Sequence, residues 1–568
     1  MNIRMTEGQD AAPHREAHNL LARSAALAAL ETLPAPEALD TVGYRSAGNT
    51  LVIGSRADAL PLADRLAGTL SVTVLLLDDA EGAPGLRIYP VFQARAVVLS
   101  GWLGAFEATW QAPGRAPEHA RFDVVADLGA SPQIRSHQHP HGYYAPGPGL
   151  AALPGAIDAL ADDLLDMVGD FEKPKYFQYK ERLCAHSRNQ RTGCNACIEI
   201  CSAQAIEGAG DLVKVNPYLC AGCGACTTVC PTGALGYAYP AADHTGRRVK
   251  AMLQAYFEAG GTDPVLLFHG VPGAAMLVEM ERQGQALPAR VLPVGLHHAA
   301  STGIDVWLAA LAYGAAGVAV LVTDEEAPQY IVALERQMGV VQEVMTGLGY
   351  AGPHVRLLHA VSAQDLAPAL AHAPRADAPG RRASFNLARD KRDTLEYALD
   401  HLYRHAPVQP EEVALAPGSP FGALAVDKAA CSLCMACVGA CPASALQDGA
   451  GLPQLRFIEK NCVQCGLCAD TCPEDAIRLV PRLSFLPTRK QPVVLNETQP
   501  FHCIRCDKPF GTVRMVETML ARLAGHPAFA GNLDRMRMCG DCRVIDMMTP
   551  QDEVKIGDIT GVREVRRN

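Results

Sequence analysis

Residues 220–231 read CAGCGACTTVCP, with cysteines at the first, fourth, seventh and eleventh places and a proline to close the run. The same spacing returns in CSLCMACVGACP at 431–442 and in CVQCGLCADTCP at 462–473. A cubane 4Fe-4S cluster presents one outward coordination position per iron. Thiolates at i, i+3 and i+6 can wrap three neighbouring corners, while the fourth leaves on another element to reach a second cube. Proline then stops the loop from continuing as helix. The small residues Gly222, Gly224, Ala225, Ala436 and Gly466 are expected to let backbone N–H groups approach the sulfurs and so help set the reduction potential. Zinc would want two pairs of cysteines rather than a triple plus one.

This is the run of bacterial two-cluster ferredoxins, and it comes in pairs. Eighteen residues before Cys220, the stretch CAHSRNQRTGCNACIEIC (184–201) keeps the spacings of Cys194, Cys197 and Cys201, with AHSRNQRTG inserted after Cys184 and Ser202 in the place of the proline. It reads as the degenerate first half of a module. Crossover ligation assigns Cys184, Cys194, Cys197 and Cys230 to one cluster, and Cys220, Cys223, Cys226 and Cys201 to its partner. The second module gives Cys431, Cys434, Cys437 and Cys472, then Cys462, Cys465, Cys468 and Cys441. For the set containing Cys184, a three-iron cluster or a different fourth ligand such as His186 stays open.

The last four of the twenty cysteines differ in kind. FHCIRC and MCGDC supply two C-x2-C pairs, Cys503 with Cys506 and Cys539 with Cys542, and CIRCDKPFG has the turn that follows a zinc knuckle. Paired thiolates suit a closed structural zinc, or a single rubredoxin-like iron. Met536, Met538, Met547 and Met548 are read as packing residues. With every cysteine in a four-ligand set, disulfides are not expected. The chain opens without a signal-like segment, which predicts a cytoplasmic protein. VWLAALAYGAAGVAVLV (306–322) is shorter than the ~20 residues of a membrane span and predicts a buried helix, a Gly turn and a buried strand. A formal charge of -10 spread over 568 residues argues against a nucleic-acid partner.

Away from the cysteines the chain is α/β. NTLVIGS and VTVLLLDD flank a helical ADALPLADRLAGTL, and RAVVLSGWLG and FDVVADLG follow as strands. The turn GSRADA lacks G-x-G-x-x-G, so a dinucleotide site is not supported. PVLLFHG, ARVLPVG, GVAVLVTD and HVRLLHA alternate with amphipathic segments in a doubly wound parallel pattern. HGVPG (269–273) reads as a plain turn, and His297 and His298 as structural or interfacial. The fold class is therefore multi-domain α/β, with two two-cluster ferredoxin modules and a C-terminal zinc-ribbon-like site. The expected order is a helical or flexible segment 1–47, a small α/β domain 48–150, module 1 at 171–242, a doubly wound domain 245–375, a linker 376–425 with the helix KRDTLEYALDHLYRH, module 2 at 426–482, and the four-cysteine domain 495–550. Lys173, Lys175, Lys180, Arg182, Arg188 and Arg191 form a local basic excess, either a solvated loop or a docking patch.

In order along the chain, GYYAPGPG, CNACIEICSAQAI, LCAGCGACTTVCPTGAL, FNLARDKRDTLEYALDHL, NCVQCGLCADTCPEDAIRLVPRL, FHCIRCDKPFGT and CGDCRVIDMM resemble the multi-cluster 4Fe-4S proteins encoded beside bacterial molybdenum or tungsten formate dehydrogenases. ALPARVLPVG and LAYGAAGVAVLV are also similar to the small delta-type subunit of heterodisulfide-reductase-linked hydrogenases, whose cluster cysteines are missing here. The resemblance implies electron transfer with a formate dehydrogenase or related oxidoreductase. Two alternatives are a maturation factor for such an enzyme and a subunit of a flavin-dependent complex. No catalytic constellation is present, so no independent activity is expected.

Overall fold

A computed structural model of the chain describes residues 11–78, 86–112, 114–525 and 533–548. It separates into two compact units, residues 1–419 and 420–568.

In the first unit, Asn49–Gly54 is the centre of a five-stranded parallel sheet in the order Val91–Gln93, Ser71–Leu76, Asn49–Gly54, Val124–Leu128, Tyr143–Tyr144. The alternating positions of these strands feed two separate apolar cores. A second, antiparallel sheet of Ala96–Ser100, Phe106–Gln111 and Glu118–Phe122 supplies Phe106, Trp110 and Phe122 to one of them. The turn GSRADA leads into the helix Arg56–Leu66, with Ser55 as its N-cap. The buried Asp58 accepts N–H bonds from Gly149 and Ala151 at 3.0 Å each, so a carboxylate already stands at that helix start. The strand Thr41–Ser46 pairs antiparallel with Gly169–Pro174, so this part of the chain starts before residue 48 and returns after 150.

The doubly wound region is a four-stranded parallel sheet in the order Val291–Gly295, Val265–His269, Gly317–Val322, Val355–His359. Helices Val271–Arg282 and Ala363–Ala371 pack together beside it, and Ile304–Ala312 packs with Ala242–Glu258 and Pro328–Gly347. Every residue of Ile304–Ala312 is buried, as expected of a helix that is apolar all round. Gly314, at φ +103°, makes the turn into the buried strand Gly317–Val322. The segment expected as a linker is more than that. Its helix Lys391–Arg404 packs on Ile304–Ala312, and the Ala-rich helix Ala11–Glu31 packs on Ala242–Glu258. No helix among the described residues is long and apolar enough to cross a membrane.

In the second unit, Gly422–Val426 pairs antiparallel with Ile477–Ser484, and the hairpin Leu446–Gly449 and Leu452–Phe457 extends to Val493–Glu497. A short hairpin, Pro500–His502 with Pro509–Thr512, precedes the helices Val513–Leu523 and Gly540–Met548. Residues 526–532 and 549–550 of the expected four-cysteine domain lie outside the described residues.

Candidate iron-sulfur and metal sites

Both modules are built on one plan. A strand pair brackets each, Phe177–Tyr179 with Leu235–Tyr237 in the first and Gly422–Val426 with Ile477–Ser484 in the second. Between them lie two cysteine loops, each running into a helix of one turn, separated by a hairpin. In the runs starting at Cys220, Cys431 and Cys462, the second and fourth places after the first cysteine are left-handed: Gly222 and Gly224, Leu433 and Met435, Gln464 and Gly466. A leucine, a methionine and a glutamine accept a backbone that costs such residues roughly 1–2 kcal/mol, because the loop must fold its thiols inward. Gly222 and Gly224 take that backbone without strain, and the N–H groups of Gly222 and Ala225 bond to the sulfurs of Cys220 and Cys223.

A second left-handed residue stands three places after each last cysteine: Gln204, Gly233, Ser444 and Asp475. It turns the chain back, so that N–H groups of Ala205, Ala445 and Ala476 donate to Cys201, Cys441 and Cys472 at 3.2, 3.3 and 3.4 Å, and that of Leu235 to Cys230 at 3.5 Å. Such donors stabilise negative charge on sulfur.

The thiols gather in fours across the runs. Cys201, Cys220, Cys223 and Cys226 line one small cavity, Cys431, Cys434, Cys437 and Cys472 a second, and Cys441, Cys462, Cys465 and Cys468 a third. Cys197 lies among Cys230, Cys194 and Cys184, and burial together with these neighbours pushes its thiol up to about 12. Burial and neighbouring thiols likewise push Cys437 up to about 12 and Cys226 well above its ordinary value. Cys226 also feels Cys197, and Cys468 feels Cys437, so the two groups of each module adjoin. Four clustered thiols that repel one another's charge are a poor arrangement for a protein alone and a suitable one for cationic iron, which holds thiolates together. The donor sets therefore fit 4Fe-4S clusters.

Cys184 reaches its group through a device the spacing did not reveal. The inserted residues form a hairpin, Ser187–Arg188 with Arg191–Thr192, turning on Asn189 and Gln190 at φ 52° and 65°. Positive φ at both central positions is a type I′ turn. The N–H groups of Gly193 and Cys194 bond to the carbonyls of His186 and Ala185 at 2.7 and 2.9 Å, closing the loop and setting Cys184 beside Cys194. His186 is buried with Nδ1 3.2 Å from the Cys194 carbonyl, and its Nε2 lies against Gly208.

The basic stretch is thinned by internal use. Lys173 donates to the carbonyls of Tyr218 and Cys220 at 3.0 and 2.8 Å, Lys175 pairs with Asp40 at 2.9 Å, and Lys180 with Asp390 at 3.5 Å. Lys391 is enclosed, and its ammonium donates to the carbonyls of Thr227, Thr228 and Cys230, capping the helix that carries Cys226. Beside it opens a cavity of about 620 Å³, walled by Thr227, Thr228, Asp305, Arg389 and Lys391. Its walls mix charge signs, with Arg247 and Asp243 paired at 3.2 Å, and select no single ligand charge. His297 stacks on Tyr176 with ring centroids 5.0 Å apart, and His298 meets Tyr330 edge-on at 5.2 Å.

In the second unit, the sulfurs of Cys503, Cys506, Cys539 and Cys542 all lie within 4.8 Å of one another. The turn after Cys503 is closed by its N–H to the Lys508 carbonyl at 3.0 Å, and Cys539 and Cys542 flank the start of the helix Gly540–Met548. Cys506 and Cys539 sulfurs stand 3.7 Å apart. A tetrahedron with metal–sulfur bonds of about 2.3 Å has an edge of about 3.8 Å, so one tetrahedral ion fits. Burial raises the Cys503 thiol, but N–H groups of Cys539, Arg505 and Cys506 outweigh it and bring it to about 6. Met538 packs on these cysteines, whereas Met547 and Met548 are exposed.

Sequence profiles of the 4Fe-4S dicluster domain match residues 190–234 and 430–477. The chain carries two 4Fe-4S dicluster domains. The first match begins after Cys184, which stands outside it. Hydrogenase-4 component A of Escherichia coli (strain K12) is 35% identical over 66 residues, 12% of this chain and 29% of that protein. A ferredoxin of Saccharopolyspora erythraea is 35% identical over 65 residues, 11% of this chain and 61% of that protein. The chain thus spans less than two thirds of the length of either relative.

Proposed function

We propose that this protein is a cytoplasmic electron carrier that passes single electrons through four 4Fe-4S clusters, between a formate dehydrogenase or related oxidoreductase and a second carrier. The observation that carries the reading is the gathering of sixteen cysteines into four crossover sets, three of them around cavities of their own. Bound there, a 4Fe-4S cluster supplies one-electron transfer without making or breaking bonds to substrate. The chain's part is to hold the thiolates, donate N–H groups to them and exclude water. The ferredoxin and the hydrogenase component among its relatives support a redox partner for this chain too. The C-terminal four-cysteine site holds zinc and is structural in this reading, because its paired ligands form a closed set.

The test is to mix the anaerobic protein with an active formate dehydrogenase and formate, and to follow the visible cluster absorbance. Bleaching is the expected result. Its absence with a matched, active dehydrogenase would remove the partner. Charge reversal at Arg182, Arg188 and Arg191 should slow the reaction in a salt-sensitive way if this stretch is the dock.

A further inference from the structure

The cysteine-free parallel domain sends one side chain directly to a cysteine of the first module. Tyr330, on the helix Pro328–Gly347, is fully buried, and its hydroxyl donates to the Cys223 sulfur at 3.0 Å. A phenol has one proton. With that proton spent on Cys223, the adjoining Ser202 hydroxyl donates to the Tyr330 oxygen. Ser202 is the residue that stands where the other runs have proline, so the departure from the motif supplies the second member of a hydroxyl chain. The setting is dry: Ile200, Ala225, Ala300, Ala327 and Tyr330 form one apolar cluster against Cys223 and Cys226.

We propose that Tyr330, polarised by Ser202, sets the reduction potential of the cluster held by Cys201, Cys220, Cys223 and Cys226, so that the cysteine-free domain acts as a tuning element for the first module. The proposal rests on the electron-transfer reading. Reduction adds negative charge that is shared with the thiolate sulfurs, and an O–H donor aimed at one of them favours the reduced state. In a water-free site the bond is stronger than at a surface, and a second hydroxyl in series strengthens it further. Removing it should lower the potential of this cluster alone.

The test is an EPR-monitored redox titration of the full-length, anaerobically purified protein, wild type and Tyr330→Phe. The phenylalanine keeps the ring and removes only the hydroxyl. The cluster that disappears in Cys223→Ser identifies the signal to follow. In Tyr330→Phe its reduction equilibrium should shift by up to about tenfold toward the oxidised state, about 59 mV for a one-electron couple, with the other three clusters and the iron content unchanged. Ser202→Ala should shift the same signal in the same direction by less. An unmoved potential at full iron content overturns the proposal, and so does loss of the cluster, which would make Tyr330 a holding group instead. Resonance Raman spectra of the oxidised protein read the same hydrogen bond without any reduction: iron–thiolate stretches identical in wild type and Tyr330→Phe also overturn it. Failure of the wild-type clusters to reduce reversibly removes the electron-transfer reading instead, a separate result.

Discussion

The two dicluster domains share a spacing and differ in what surrounds it. In the first, the loop after Cys220 is enclosed by other parts of its unit. Tyr176 lies over Gly222, Ser301 stands where a Cβ on Gly224 would fall, Tyr330 reaches Cys223, and Lys391 holds the end of the helix bearing Cys226. In the second, Leu433 and Met435 take the two left-handed places, Cys434 is exposed, and the donors to sulfur include the module's own Gln464, Ala445 and Ala476. Spacing decides where thiols go. The neighbouring chain decides how deeply they are buried and which donors reach them, and these are the levers on potential.

If enclosure distinguishes the modules, the largest effect should come from loosening the parallel domain. Trp307, fully buried in the helix Ile304–Ala312, is its largest core side chain. Trp307→Ala should cost about 3–5 kcal/mol, and heating followed by cluster absorbance should release the first module's iron at a lower temperature than in the wild type while leaving the second module's release in place. Simultaneous earlier release from both modules would contradict the separation into two units.

A sharper test concerns ligation within each module. Cys230→Ser should remove the cluster grouped with Cys184, Cys194 and Cys197 and spare the one at Cys220, Cys223 and Cys226. Cys472→Ser should do the same to the group of Cys431, Cys434 and Cys437. EPR and iron analysis count what is left. Damage confined to the same run as the substituted cysteine would break the crossover in that module.

Smaller still should be the loss of one ligand carried on an insertion. Cys184→Ser should leave a three-iron cluster visible by EPR in the oxidised protein, because the hairpin Ser187–Thr192 still closes and Cys194, Cys197 and Cys230 remain. An unaltered four-iron cluster would mean that another group, such as His186, completes the set.

Much of this arrangement was readable in the sequence, for physical reasons. Cysteine spacing is dictated by the cluster itself, so the four sets follow from distances along the chain. The apolar runs of the parallel domain are strands buried on both faces, where polar alternation disappears. Other features depend on residues far apart. Nothing local to TVGYRS (41–46) announces that it pairs with Gly169–Pro174. Of the antiparallel sheet, only Ala96–Ser100 falls on a run that reads as strand, and its partners Phe106–Gln111 and Glu118–Phe122 carry no such signal. The hairpin that delivers Cys184 turns on Asn-Gln rather than the commoner Asn-Gly, though its asparagine was the available signal. Tyr330 had no signal at all, since a tyrosine opening an amphipathic helix 100 residues beyond the motif looks like core. The missing proline at Ser202 was the visible half of that contact.

The measurement closest to the central claim is a metal count and redox titration on one anaerobic preparation. Four cubane clusters require about sixteen iron atoms per chain, with one further metal ion at Cys503, Cys506, Cys539 and Cys542, and the titration should resolve reversible one-electron reduction of clusters in both modules. Iron for only two clusters, or clusters that do not take up and return an electron, would contradict it.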